Sequence, residues 1–144
     1  MCGKDVLILV NASNSLTAVM WNMIPWDWER LKKISLDAIM RTFMNEGYSG
    51  EQFETYLNLA GKQIELTKTH GRRPVAALNR RAKLLLRIPV ALDEKKRFQP
   101  YHTDCVNNIS GTAGGFTSSG KPSDLFERDM KRLGIRKDKN NGYF

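Results

Sequence analysis

Val6-Leu7-Ile8-Leu9-Val10-Asn11-Ala12-Ser13-Asn14-Ser15-Leu16-Thr17-Ala18-Val19-Met20-Trp21 is the stretch that decides the fold. Its first five residues are β-branched or leucine, Asn11 to Asn14 supplies turn-forming side chains, and Leu16 to Trp21 returns as a second apolar run. Two such runs around a short polar turn are a β-hairpin. Both runs are nearly continuous in apolar residues, so both faces of the hairpin should be covered. The fold class expected is α+β: a small antiparallel sheet with an N-terminal hairpin packed by three helices, plus a basic, partly flexible C-terminal extension.

The covering helices come next. Trp26-Asp27-Trp28 leads into a helix that should end near Gly47. Trp28, Leu31, Ile34, Leu36, Ala38, Ile39, Met40, Phe43 and Met44 cover most of its circumference, as in a buried central helix. Trp21, Trp26 and Trp28 are therefore expected in the core. Ser49-x-x-Gln52 is a capping box, opening a second helix with Phe53, Tyr56, Leu57 and Ala60 as its apolar stripe and Gly61 as its stop. Gln63 to Thr69 alternates like a third strand or edge, and His70-Gly71 turns the chain.

A third helix should start around Pro74 and run to about Arg87, before Pro89. On its wheel Val75, Leu78, Ala82, Leu85 and Leu86 share about 100° of arc. Arg80, Lys83 and Arg87 lie opposite, with Arg73 in line just before them. Leu78 and Leu85 are thus core candidates. Asn79, at the margin of the apolar arc, should hold Thr69 or the His70-Gly71 turn.

Residues 1–92 read as the α+β core domain and 93–144 as the extension. Asp93 to Arg97 is a charged turn, and Asn107 to Pro122, rich in Gly and Ser, reads as flexible. Ser123 can cap a last short helix, Asp124 to Leu133, stopped by Gly134. Residues 137–144 read as a disordered tail.

Charge narrows the partner. Residues 1–61 carry a net −2 and residues 62–144 a net +10. Between Glu65 and Asp93 stand Lys68, Arg72, Arg73, Arg80, Arg81, Lys83 and Arg87, with no acidic residue. Solvated helix faces usually mix signs, because neighbours of opposite charge stabilise each other. An unneutralised cluster attracts polyanions, phosphate backbones above all. These residues and His70 form the candidate nucleic-acid or partner-binding site. The plain alternative is that +8 overall keeps a small protein soluble.

Chemistry is thinner. Two cysteines, Cys2 and Cys105, make no disulfide framework, which suits a reduced, cytoplasmic protein. The run Val6 to Val10 is too short for a signal segment or a membrane span, and no membrane partner is expected. His102, Asp104 and Cys105 are close in sequence but lack the paired spacings of a zinc site, so neither metal nor cofactor is expected. His102 reads as a surface histidine in a polar loop. His70, among phosphate-binding cations, and His102 are weak catalytic candidates for metal-independent RNA cleavage, as acid and base.

One pattern goes beyond composition. The strand Val6 to Val10 ending in Asn11, the helices ending at Gly47 and Gly61, and Thr69-x-x-Arg72 with Asn79 seven residues after the arginine resemble an uncharacterised bacterial domain family. That family occurs among chromosomal, plasmid and prophage genes. The resemblance covers roughly residues 5–88 and implies an α+β fold in a mobile-element setting, with no established activity. Ala76-Ala77 stand where the family has a Gly-Ser pair, and Arg80 where it has an acid.

The resulting expectation is a small basic accessory protein of a phage or mobile element that binds nucleic acid or a nucleoprotein complex, as an inhibitor of a host defence system would. The alternatives are a ribonuclease toxin using His70 and an interaction domain for an acidic protein partner.

Overall fold

The computed structural model describes residues 5–60 and 72–137. The expected third strand, Gln63 to Thr69, and the expected tail, 138–144, lie outside them. The hairpin forms as expected. Strand β1 (Asp5–Val10) pairs antiparallel with β2 (Thr17–Met23), with Leu7 opposite Met20 and Ile8 opposite Val19. Asn11 closes the turn: its Oδ1 accepts from the amides of Ser13 and Asn14, and its backbone bonds to Ser15 and Leu16.

Alternation sorts the hairpin side chains into two faces, and different helices cover each. On one face Leu7, Ala18 and Met20 pack with Ala38, Leu31 and Ile34 of α2 (Leu31–Asn45). On the other, Val19, Val6 and Ile8 meet Leu85 of α4 (Arg72–Leu86) and Val106 of α5 (Pro100–Asn107). The molecule is α+β, with the small sheet between helical layers.

Between the hairpin and α2 lies a short helix, α1 (Pro25–Glu29), so the expected single helix is broken at Arg30. Helix α2 is one-sided, with Ser35, Ala38, Thr42 and Phe43 buried but Lys32, Lys33 and Met44 exposed. Trp21 is buried as expected, whereas Trp26 is 60 % exposed on α1 and is corrected to a surface residue. Gly47, at φ +93°, ends α2 in the left-handed conformation that glycine adopts without steric cost. The capping box of α3 (Gly50–Ala60) is present: the Ser49 amide donates to Gln52 Oε1 and the Gln52 amide to Ser49 Oγ.

Helix α5 was not expected, since Pro100 to Asn107 reads as a polar loop. It satisfies the outer edge of β2. The Val19 amide donates to Thr103 Oγ1, and Asn107 accepts from the Thr17 amide while donating to its carbonyl. The adjoining chain completes the edge, the Trp21 amide donating to the Arg97 carbonyl and the Gln99 amide to that of Val19. A sheet edge left open would template further pairing; here it is closed by side chains of α5 and by the backbone of Arg97 and Gln99.

The extension is built into the same core. Phe126 and Met130 of α6 (Pro122–Arg132), with Ile135, pack against Leu16, Phe43, Tyr48 and Phe53. The Gly/Ser-rich stretch is held too: Gly111 and Gly120 exchange backbone hydrogen bonds, and the Gly115 amide donates to the Ser13 carbonyl. Described residues after 92 therefore contribute side chains to the same core.

Candidate nucleic-acid interface

Helix α4 carries most of the described candidate residues. Its buried row is Ala77, Arg81 and Leu85, spaced by four residues, so the helix is rotated about a quarter turn from the apolar arc read on the wheel. Leu85 is core as expected. Leu78 is 39 % exposed and Leu86 68 % exposed, which corrects the expectation for Leu78.

The reason is Arg81, which is 1 % exposed. Its Nη1 donates to the carbonyls of Val106 and Ile109 at 3.0 and 2.7 Å, where α5 ends. The negative end of the α5 dipole suits a guanidinium there. Nη2 has no hydrogen-bond partner and lies over Gly111, where a Cβ would collide with it. Burial, and then the neighbouring Arg80, depress the pKa of Arg81. This residue anchors α4 and is not part of the exposed basic surface.

Arg80 is half-buried at the flank, with its Nη1 donating to Thr112 Oγ1. Lys83 and Arg87 are exposed, one turn apart, on the side away from the buried row. Neither has a carboxylate partner among the described residues. Arg72 and Arg73 lie in the first turn of α4; Lys68 and His70 fall outside the described residues. Asn79 is exposed between Leu86 and Lys83 on the wheel, and the partners expected for it, Thr69 and the His70-Gly71 turn, lie outside the described residues.

His102 also moves. It lies in α5, 3 % exposed, with Nε2 at 2.7 Å from the Val90 carbonyl. That carbonyl makes Nε2 the donor, and Nδ1 has no partner. A ring so enclosed cannot reach an RNA backbone as acid or base. Cys105 is a half-buried free thiol on the same helix. Among the described residues no group of three or more His, Cys, Asp or Glu side chains could hold a metal ion, and no helix is long and apolar enough to cross a membrane.

Sequence reading missed the exposed apolar members of this helix. Leu86 stands exposed beside Asn79 and Lys83 on the wheel, while Leu78, also exposed, lies on the flank opposite Arg87. The signal was an arginine inside the four-residue spacing of an apolar row, which a wheel assigns to the surface.

No curated protein and no solved structure matches the chain. The family model for a domain of unknown function, DUF6933, matches residues 2–124. That span runs from the hairpin through the start of α6 and includes Thr69, Arg72 and Asn79. The chain accordingly belongs to this uncharacterised domain family.

Proposed function

We propose that the outer face of α4 binds a polyanion, with nucleic acid or a nucleoprotein complex as the partner. The observation that supports this best is the pair Lys83 and Arg87, exposed one turn apart without a carboxylate partner among the described residues. The sequence around them, from Leu66 to Leu92, contains no acid. Arg80, Arg72, Arg73, Lys68 and His70 extend the same basic segment, and Asn79 offers an amide beside it. Such a surface suits a cytoplasmic accessory protein of a bacterial phage or plasmid that occupies a nucleic-acid-bearing complex, including a host defence complex, without chemistry of its own.

The test is fluorescence anisotropy with duplex DNA and with single-stranded RNA across a salt series. Affinity should fall steeply with salt, and Lys83→Glu with Arg87→Glu should weaken it about tenfold or more, through roughly two lost phosphate contacts. Equal binding by parent and variant at about 100 mM salt would end this reading. Exposed Leu86, beside Lys83 on the wheel, favours a second reading, an acidic protein partner. In that case no nucleic acid binds, and Leu86→Asp as well as the charge reversals abolishes capture of the partner.

A further inference from the structure

On the opposite side of the hairpin from α4, an open cleft of about 640 Å³ lies between α2, β2 and the chain leading into α5. Its floor is apolar, made by Met20, Ile34 and Phe98, and its rim carries Arg41, Lys96 and Arg97 with a single acid, Asp37. The volume falls within the range of about 300–1,000 Å³ typical of small-molecule sites.

The rim is fixed in place. Met20 and Phe98 form a β-bridge, flanked by the bonds that tie Arg97 and Gln99 to β2. Gln99 is fully buried and staples the preceding loop: Nε2 donates to the carbonyls of Asp93 and Lys96, and Oε1 accepts from the Asp93 amide. Arg97 is held further by Asp27 at 2.6 Å. Arg41 meets Asp37 through Nε alone, and both arginines are about half exposed, so guanidinium N–H groups remain open. Lys96 is exposed with no ion-pair partner among the described residues. Buried hydrogen bonds thus fix the backbone that presents Lys96 and Arg97 beside an apolar floor, where their cations can meet an anion.

The geometry points to a binding site for a ring-bearing organic anion of the nucleoside phosphate class. Its ring lies on Met20, Ile34 and Phe98, where sulfur and aromatic contacts favour a flat π system. Its phosphate meets Lys96 and Arg97. Asp37 accepts from a ring amino group or a sugar hydroxyl. This site is independent of the outer face of α4.

AMP is the probe, followed by NMR of the Met20 and Ile34 methyl groups, with adenosine and inorganic phosphate as separate arms. AMP should shift both methyls, and each partial ligand should bind about tenfold or more weakly, since each lacks one half of the recognition. Lys96→Glu, an exposed change that keeps the fold, should weaken AMP about tenfold or more, and Arg41→Gln should weaken it less. The pair Lys83→Glu with Arg87→Glu should leave AMP binding unchanged, which separates this site from the α4 reading. Unmoved Met20 and Ile34 methyls, AMP binding that survives Lys96→Glu, or inorganic phosphate binding as well as AMP would each overturn the proposal.

Discussion

A buried arginine usually takes a carboxylate inside with it, because an isolated charge is costly to desolvate. Among the described residues Arg81 has none and uses the carbonyls at the end of α5 instead. Removing the donor leaves the Ile109 carbonyl without a partner among the described residues, while removing the charge relieves a desolvation cost, and the two effects oppose. In Arg81→Met the shape is largely kept, so the unpaired Ile109 carbonyl decides: about 1–3 kcal/mol of stability should be lost. Chemical denaturation measures it, and an unchanged midpoint would mean that the guanidinium contributes nothing net. Glu46 is another buried charged residue, as is Asp27. Desolvation raises its pKa, aided by Asp104 and Asp124, while the nearby Ser123 hydroxyl and Lys137 oppose the shift. Ser123 Oγ itself forms no hydrogen bond, and Glu46 Oε1 likewise has no partner, so the opposition is weak. A carboxyl whose folded pKa is raised binds its proton more tightly when folded. It therefore costs stability as pH rises from the ordinary carboxyl range through the folded value. Glu46→Gln should stabilise the protein at neutral pH, on the order of 1 kcal/mol, and the gain should vanish in acid. Thermal unfolding at neutral and acid pH checks this, and a gain equal at both would sink it.

At the scale of elements, the hairpin, the α3 capping box and the bounds of α4 and α6 were legible because local chemistry specifies them. Turn-forming Asn11, Ser49 paired with Gln52, and Gly134 each act within a few residues of their own position. The phase of α4 was not legible, since burial of Arg81 depends on where a helix 25 residues later ends. Helix α5 was missed for a similar reason. Its polar side chains, Thr103 and Asn107, are buried because a distant strand edge needs donors and acceptors, and Pro100 at its first position was the one local sign. Of the candidate site, the basic character of the segment was legible and the choice of exposed members was not. The corrected phase makes a discriminating prediction. Leu85→Ala should cost on the order of 2–5 kcal/mol, and Leu78→Ala no more than about 0.5–1 kcal/mol. Equal losses measured by thermal unfolding would restore the original wheel.

For the whole molecule, the packing of the described residues runs across residue 92. Composition changes there, but the packing does not. Residues beyond 92 close the edge of β2 through Arg97, Gln99, Thr103 and Asn107, and cover the far core through Phe126, Met130 and Ile135. Phe126 stands edge-on to both Phe43 and Tyr48, with ring centroids 4.9 and 5.4 Å apart. A fragment of residues 1–92 would expose that aromatic cluster together with an unpaired strand edge, losing apolar burial and backbone hydrogen bonds at once. It should show no cooperative thermal transition. The milder variant Phe126→Ala should keep the fold but cost about 3–5 kcal/mol, because a large aromatic leaves a cavity that its ring partners fill only in part. Circular dichroism of the fragment and denaturant unfolding of the variant test the two claims separately. A fragment that unfolds cooperatively near the full chain's midpoint, alongside a Phe126→Ala loss below about 1 kcal/mol, would make residues 93–144 an appendage after all.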